Sequence, residues 1–240
     1  GAWSKLPAWA PSDVANYGEP PKAIEPHEIV ELVEHFARSA ANAAEGGFDG
    51  IEVHAAHGYL IHEFLSPAHN RRTDEYGGDL DGRMRFGVEV LRAVREAVGP
   101  EVAVGLRLVG DERRQDGTGL TATDCAEIGA RFDALGLVDF LDVSVGVSGI
   151  GMVRPLYAKP GFGAYSARAV KDALGTSRTP VFAVHRILMP DEAEEIIARG
   201  DADGVTLVRA LIADPDWPNK ARSGSVEEIR RCTGTNQGCY

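Results

Sequence analysis

The sequence has few of the features that indicate a secreted, membrane-spanning or nucleic-acid-binding protein. Its three cysteines, Cys125, Cys232 and Cys239, are too few for a disulfide scaffold in 240 residues, which favours a reducing cytoplasm. No apolar run reaches the roughly 18 residues that a transmembrane helix needs. Residues 1–13, GAWSKLPAWAPSD, lack the basic region and apolar stretch of a signal peptide. The net charge of −11 argues against nucleic acid or an anionic membrane as a partner, so the composition predicts an acidic, soluble cytoplasmic protein.

What the sequence does contain is a regular alternation of apolar strands and amphipathic helices. Strands are predicted at residues 50–54, 102–108, 138–145, 180–184 and 204–207. Helices are predicted at 26–45, 83–98, 121–135, 164–174 and 190–199, followed by short helical segments near 214–220 and 225–231. Thr121 or Thr123 is the expected N-cap of the third helix. Strands that alternate with helices pair in parallel through crossover connections, so the order α(βα)₅ predicts an α/β protein.

Two α/β architectures fit this order, an open doubly wound sheet and a closed (β/α)₈ TIM barrel. The doubly wound fold expects a GxGxxG fingerprint after its first strand, but residues 55–60 are AAHGYL. Chemically special residues instead follow the C-terminal ends of successive strands, where a barrel places its active site. They are His54, His57, Arg107, Ser144, His185 and Arg209. The pattern favours the barrel, although the five evident strands cannot close a barrel of eight.

One long stretch, residues 54–78, is HAAHGYLIHEFLSPAHNRRTDEYGG and resembles the signature of the Old Yellow Enzyme family. The similarity is to the branch that includes 2,4-dienoyl-CoA reductase, trimethylamine dehydrogenase and N-demethylases. It extends over nearly all residues from about Pro26 onward. The resemblance implies a TIM barrel that holds FMN across its mouth and takes hydride from NAD(P)H.

The same resemblance bears on how much of a barrel this chain contains. Aligned on the signature, residue 1 falls after the family's third strand, so only about the last five βα units are evident. Residues 1–240 are expected to form one domain, because 44% of them are hydrophobic and no linker-like segment interrupts them. We expect that an N-terminal portion is missing, or that another chain completes the barrel, with a homo-oligomer as the simplest assembly.

The resemblance assigns the catalytic chemistry to the start of this signature. It implies that His54 and His57 hydrogen-bond a substrate carbonyl oxygen and stabilise the enolate that forms when hydride reaches the β-carbon. Two histidines at this spacing alone also fit a metal site or polar loop residues. Tyr59 is interpreted equally well as a proton donor to the substrate α-carbon, as part of the pocket wall, or as a buried loop tyrosine. His62 and His69 are interpreted as structural.

A second set of residues is implied to bind FMN. Arg107 corresponds to a basic residue beside the N1–C2=O edge of the flavin, although a salt bridge to Asp111 or Glu112 is the alternative.

His185 with Arg186, and Val208 with Arg209, correspond to the phosphate site at the last two strands. The family usually has glycine at positions 185 and 208, so a Cβ there is expected to crowd or reposition the phosphate. His185 could instead contribute a hydrogen bond, and Arg209 retains a charge-assisted contact to the phosphate.

Two further segments carry departures from the family pattern. The C-terminal CTGTNQGC resembles a 4Fe–4S motif, but it offers only Cys232 and Cys239, with Thr235 between them, so we expect a relic and no cluster in this chain. Cys125 is interpreted as a core residue.

The long loop at 146–162 is expected to form a wall of the substrate site, with Arg154 and Tyr157 as substrate contacts. Surface packing of this loop is the alternative.

Taken together, these motifs predict an FMN-dependent, ene-reductase-like enzyme. It would reduce the activated C=C bond of an α,β-unsaturated carbonyl or enoyl substrate with hydride from NAD(P)H, and its partner would be a small molecule. One alternative is a non-catalytic or partner-completed subunit with a degenerate flavin site. Another is an oxidative amine dehydrogenase or demethylase, which the histidine pair disfavours because cationic amines are usually bound by aromatic or acidic pockets.

Overall fold

The structure is a computed structural model that describes residues 7–14, 20–114, 116–147 and 157–236. Two parallel sheets occur in these ranges. The first pairs two very short strands, β1 (Trp9–Ala10) and β2 (Lys22–Ala23), which the sequence did not predict. The second contains β3 (Gly50–Ala55), β4 (Ala103–Asp111), β5 (Phe140–Val145), β6 (Val181–Ala183) and β7 (Gly204–Val205). Its strand order is β3-β4-β5-β6-β7, which confirms the five predicted strands and their parallel pairing.

Helices connect these strands, and the five long helices predicted from the sequence are confirmed. The helices are α1 (Pro26–Glu45), α2 (Leu60–Leu65), α3 (Leu80–Val98), α4 (Ala122–Ala134), α5 (Ala164–Leu174), α6 (Pro190–Ala198), α7 (Arg209–Ala213) and α8 (Trp217–Ser223), with a 3₁₀ turn at Val226–Glu228. The short helices at 60–65 and 209–213 were not predicted, and the segment predicted near 225–231 forms only a 3₁₀ turn. The α4 helix begins after Thr121, whose hydroxyl accepts from the Asp124 amide while the Asp124 carboxylate accepts from the Thr121 amide. Across the described ranges, none of the helices combines the length and apolar character needed to cross a membrane.

The two faces of the main sheet differ because side chains alternate along each strand. One face packs against the helices and holds fully buried aliphatic residues such as Val104, Leu106 and Leu141. The opposite face places polar residues in neighbouring strands. The parallel register aligns His54 of β3 with Arg107 of β4, and Arg107 with Asp142 of β5. The sheet thus gathers charged side chains on its second face.

An aromatic layer lies on that second face, nearer the start of the strands. The rings of Phe140 and Phe182 meet edge to face, with centroids 5.8 Å apart. Glycine at the paired positions makes room for them: a Cβ on Gly105 would lie 2.0 Å from the Phe140 ring, and one on Gly204 would lie 2.6 Å from the Phe182 ring. Large and small residues therefore alternate across the strands, as the tight packing of a barrel interior requires.

Candidate functional site

A cavity of about 420 Å³ lies at the C-terminal ends of the strands, where the pattern of the sequence placed the site. Six of the residues proposed for chemistry or cofactor binding line it together: His57, Arg107, His185, Arg186, Val208 and Arg209. The remaining wall is largely apolar and includes Ile187, Leu188, Leu207 and Ile212. The cavity thus combines cations with an apolar wall.

The turn after β3 determines where His57 points. His57 and Gly58 are consecutive left-handed residues, with φ of 63° and 74°. The Gly58 amide donates to Nδ1 of His62 in α2 across 3.2 Å, and Nε2 of His62 lies 3.3 Å from Oε1 of Glu112. A left-handed backbone costs a non-glycine residue about 1–2 kcal/mol, so it persists only where its surroundings hold it. The buried His62–Glu112 pair supplies that support.

Three side chains form a hydrogen-bonded row beside the cavity. Nε2 of His54 lies 3.3 Å from Nδ1 of His57, and Nε2 of His57 lies 2.8 Å from Oγ of Ser144. Burial lowers the pKa of His57 to about 3, with further lowering by the charges of His54 and Arg107. Burial likewise lowers the pKa of His54, and the charge of Arg107 adds to this. Both imidazoles are therefore neutral near pH 7.

Tyr59 lies next to this row but does not line the cavity. Its ring centroid is 5.3 Å from that of His54, and 53% of the residue is exposed. The alternative of a buried loop tyrosine is therefore wrong, because Tyr59 precedes α2 at the surface. Tyr157 is 75% exposed and is not among the lining residues, whereas Arg154 lies outside the described residues.

Arg107 is held between two carboxylates of the neighbouring strands. Its Nε lies 2.9 Å from Oε1 of Glu52 in β3, and its Nη2 lies 2.5 Å from Oδ2 of Asp142 in β5. The alternative that Arg107 pairs with Asp111 or Glu112 is therefore wrong, because its partners come from the neighbouring strands β3 and β5. Burial, together with the charge of Asp142, raises the pKa of Glu52 to about 7.

His185 occupies a backbone conformation that suits glycine. Its φ is 97°, and that of the following Arg186 is 49°. The His185 ring turns toward β5, where its Nε2 accepts from the Val145 amide, and it packs against Phe162 with ring centroids 5.0 Å apart. This contact lies within the protein and leaves the expected hydrogen bond from His185 to a phosphate a prediction. Nε of Arg186 donates to the carbonyl of Ala158 across 2.6 Å.

Val208 does not share this conformation. Its φ is −121°, so a side chain causes no left-handed strain there, and 54% of the residue is exposed at the start of α7. Nη1 of the adjacent Arg209 donates to Oδ1 of Asn236 across 2.9 Å. The donor set of the cavity, with guanidinium groups at Arg107, Arg186 and Arg209 beside an apolar wall, fits an anionic cofactor with a flat aromatic part.

The cysteines stand apart from this cavity. Cys125 is buried in α4, as predicted for a core residue, and burial raises the pKa of its thiol. Cys232 is a partly buried free thiol, and Cys239 lies outside the described residues. The expectation that this chain holds no 4Fe–4S cluster stays a prediction.

Several residues that shape the site were missed or given no role from the sequence. They are Glu52, Asp142, Ser144 and the pair formed by His62 and Glu112. A signal for the strand residues was present, because GIEVH and FLDVSV carry a polar residue at every second position of an otherwise apolar strand. Side chains two apart on a strand share a face, so this period alone places Glu52 with His54 and Asp142 with Ser144.

Comparison with known proteins decides the family. The family model described as the NADH:flavin oxidoreductase / NADH oxidase family matches residues 6–228. The chain belongs to this family. Its members are TIM-barrel oxidoreductases that use FMN with NAD(P)H, so the predicted resemblance, fold class, enzyme class and cofactors are confirmed at the level of the family.

The flavin oxidoreductase relatives are much longer than this chain. A metal reductase of Desulforamulus reducens is 43% identical over 240 residues, which cover 97% of this chain and 34% of the relative. An NADH oxidase of Thermoanaerobacter brockii is 40% identical over 234 residues, covering 96% and 35%. A solved complex of 2-naphthoyl-CoA reductase with 2-naphthoyl-CoA superposes with a TM-score of 0.90 at 32% identity, covering 97% and 35%. The chain thus spans about one third of their length.

Proposed function

We propose that this flavin oxidoreductase chain carries the carbonyl-polarising and cofactor-holding part of an FMN-dependent reductase. The substrate is an α,β-unsaturated carbonyl or enoyl compound whose activated C=C bond accepts hydride derived from NAD(P)H. The observation that carries this proposal is the row of two neutral imidazoles, His54 and His57, at the rim of a cavity lined by guanidinium groups.

The histidine pair suits a developing oxyanion. Nε2 of His54 and Nδ1 of His57 face each other across 3.3 Å, so an oxygen atom placed between and above them lies within reach of both. Because the pKa of each ring is lowered, both remain neutral and donate hydrogen bonds without giving up a proton. Fixed donors aimed at a carbonyl oxygen stabilise the enolate more than the ground state, which is how such a site accelerates hydride addition.

The cavity residues divide the task of holding FMN. Arg186 and Arg209 would hold the phosphate, and Arg107 would face the edge of the ring system that becomes negative on reduction. When bound, FMN supplies the hydride. Tyr59, exposed beside His54, would return a proton to the substrate α-carbon, and Tyr157 and Arg154 remain proposed substrate contacts.

The open sheet bears on how the site is completed. The outer strands β3 and β7 have no further neighbour among the described residues, whereas a TIM barrel has eight strands. We propose that strands from outside the described ranges, from the same protein or from another chain, close the barrel around residues 1–240 as one domain. A cytoplasmic location and a homo-oligomer stay predictions.

The test is a two-step flavin experiment under anaerobic conditions. We expect the protein to take up FMN, to lose its yellow colour with NADH or NADPH, and to regain the colour with 2-cyclohexenone. His57→Ala should slow the enone step by about 10²–10³-fold, because one oxyanion donor is lost. His35→Ala, which alters an exposed histidine of α1, is the control and should leave the step unchanged.

Other outcomes of this experiment would overturn the proposal. A colourless protein that takes up no FMN would indicate a non-catalytic subunit. A flavin that is bleached by a methylated amine and ignores the enone would indicate amine oxidation.

A further inference from the structure

We propose that Ser144 is a positioning residue that determines which ring nitrogen of His57 carries the hydrogen. In doing so it switches the histidine pair between a resting state and a state that accepts a substrate oxygen. This inference deepens the proposed function and rests on it.

Ser144 has two partners and only one hydrogen to give. It is fully buried near the end of β5, with its Oγ 2.8 Å from Nε2 of His57 and 3.3 Å from the carbonyl oxygen of Leu108. The carbonyl can only accept, whereas a neutral imidazole nitrogen either donates or accepts. The direction of the Ser144 hydroxyl therefore determines the tautomer of His57.

In the resting state, each hydrogen bond in the row from Leu108 to His54 has one donor and one acceptor. The Ser144 hydroxyl donates to Leu108 and accepts from Nε2–H of His57. Nδ1 of a neutral His57 then has a lone pair, which accepts from Nε2–H of His54 across 3.3 Å. The two histidines bond to each other, and only one hydrogen lies between them.

A substrate oxygen requires a different arrangement. To receive two hydrogen bonds it needs a hydrogen on Nε2 of His54 and another on Nδ1 of His57. A neutral His57 then has a bare Nε2, and the contact within hydrogen-bond distance of that atom is Oγ of Ser144. The hydroxyl must turn from Leu108 to His57, while His57 releases one proton at Nε2 and gains one at Nδ1 through solvent in the open cavity.

The alternative of a doubly protonated His57 is disfavoured by its surroundings. The guanidinium of Arg107 and the ring of His54 lie close to a buried imidazole, and burial lowers the pKa of His57 to about 3. A hydroxyl that changes partner achieves the same donor pattern without placing a positive charge in the cavity.

The test reads the tautomer directly by NMR of ring-¹⁵N-labelled histidine in the FMN-loaded protein. The oxidised flavin has no hydride to donate, so 2-cyclohexenone binds without being reduced. We expect His57 to be protonated at Nε2 without the enone and at Nδ1 with it. Ser144→Ala should give a mixture of tautomers in the free protein and slow the enone step about tenfold, as the loss of one neutral hydrogen bond does.

Two further variants separate positioning from packing. Ser144→Thr retains the hydroxyl and should restore the enone step to within about threefold of the wild type. Ser166→Ala removes another fully buried serine, whose hydroxyl donates to the Gly163 carbonyl away from His57, and should leave both the tautomer and the rate unchanged.

Specific results would overturn the inference. These are a wild-type His57 that keeps one tautomer with the enone bound, a His57 that becomes doubly protonated, or a Ser144→Ala protein with wild-type tautomers. If the enone does not bind at all, the proposed function fails, but the tautomer of the free wild type still tests the role of Ser144.

Discussion

Two rims of the cavity hold their functional groups in different ways. On the β3–β5 rim, Arg107 contacts Glu52 and Asp142 of the flanking strands, and His57 contacts Ser144 of β5. On the β6–β7 rim, each guanidinium group makes a hydrogen bond to a segment outside the sheet. Arg186 bonds to the Ala158 carbonyl and Arg209 to the Asn236 side chain.

The difference indicates how each rim responds to a ligand. Groups locked by neighbouring strands hold their geometry before substrate arrives, which is what a site for transition-state stabilisation needs. Contacts to irregular segments open at lower free energy than contacts within a sheet. The first rim is therefore suited to stabilising charge that develops on the substrate or on the flavin edge that Arg107 would face, and the second to adjusting around a phosphate.

The largest expected effect comes from disrupting the buried His62–Glu112 pair, which supports the His57 turn on the first rim. Glu112→Ala leaves His62 buried without its carboxylate and should lower the free energy of unfolding by about 3 kcal/mol, as the loss of one partner of a buried pair does. Burial alone would raise the pKa of Glu112, but contacts led by the hydrogen bond from His62 outweigh it and bring the pKa below its ordinary range, so the carboxylate is ionised. Urea denaturation measures the loss.

The matched control for that variant is Glu127→Ala. Glu127 forms an exposed ion pair with Arg131 one turn along α4, and its removal should cost less than about 0.5 kcal/mol. Equal losses for the two variants would mean that the buried pair does not support the His57 turn.

A smaller effect concerns the charge balance around Arg107. The pKa of Glu52 is raised from 4.5 to about 7 in the folded protein, so between these pH values the folded state retains a proton that the unfolded chain has released. The contribution of Glu52 to the stability of the folded protein therefore declines as the pH rises from 4.5 to about 7. Relative to Glu52→Gln, the wild type should lose roughly 1 kcal/mol between pH 4.5 and 7, after allowance for the solvent that reaches this carboxyl.

Unfolding of both proteins in urea across this pH range gives the comparison. A difference between them that stays constant with pH would show that Glu52 is ionised throughout.

The smallest expected effect is on the stability of variants at His185, which lies on the second rim. His185→Gly relieves a left-handed strain of about 1–2 kcal/mol but removes the bond from the Val145 amide, worth about 1 kcal/mol, so its stability should stay within about 1 kcal/mol of the wild type. His185→Ala loses the bond and keeps the strain, and should be less stable than the glycine variant by about 1 kcal/mol. Equal thermal stabilities would show that the backbone at 185 relaxes.

Much of this architecture was predictable from local pattern. The bounds of α5 and the N-cap at Thr121 follow from periodicity and capping chemistry, which act within a few residues. The clustering of His54, Arg107 and His185 follows from the rule that the C-terminal ends of parallel strands meet.

What escaped prediction depends on distant pairing. Arg107 and Asp142 are 35 positions apart, and His57 and Ser144 are 87 apart, so their contacts require the strand register. The strands β1 and β2, at two residues each, are too short to leave a pattern. The alternative considered for Arg107, an ion pair with Asp111 or Glu112, was therefore limited to residues close in sequence and was wrong.

The left-handed turn at His57 also limits which residues evolution can place there. Among residues with a side chain, histidine, asparagine and aspartate tolerate φ near 63° best. Of these three, only histidine and asparagine can donate a hydrogen bond while neutral at pH 7. The backbone conformation and the need for a neutral donor therefore both favour histidine at position 57.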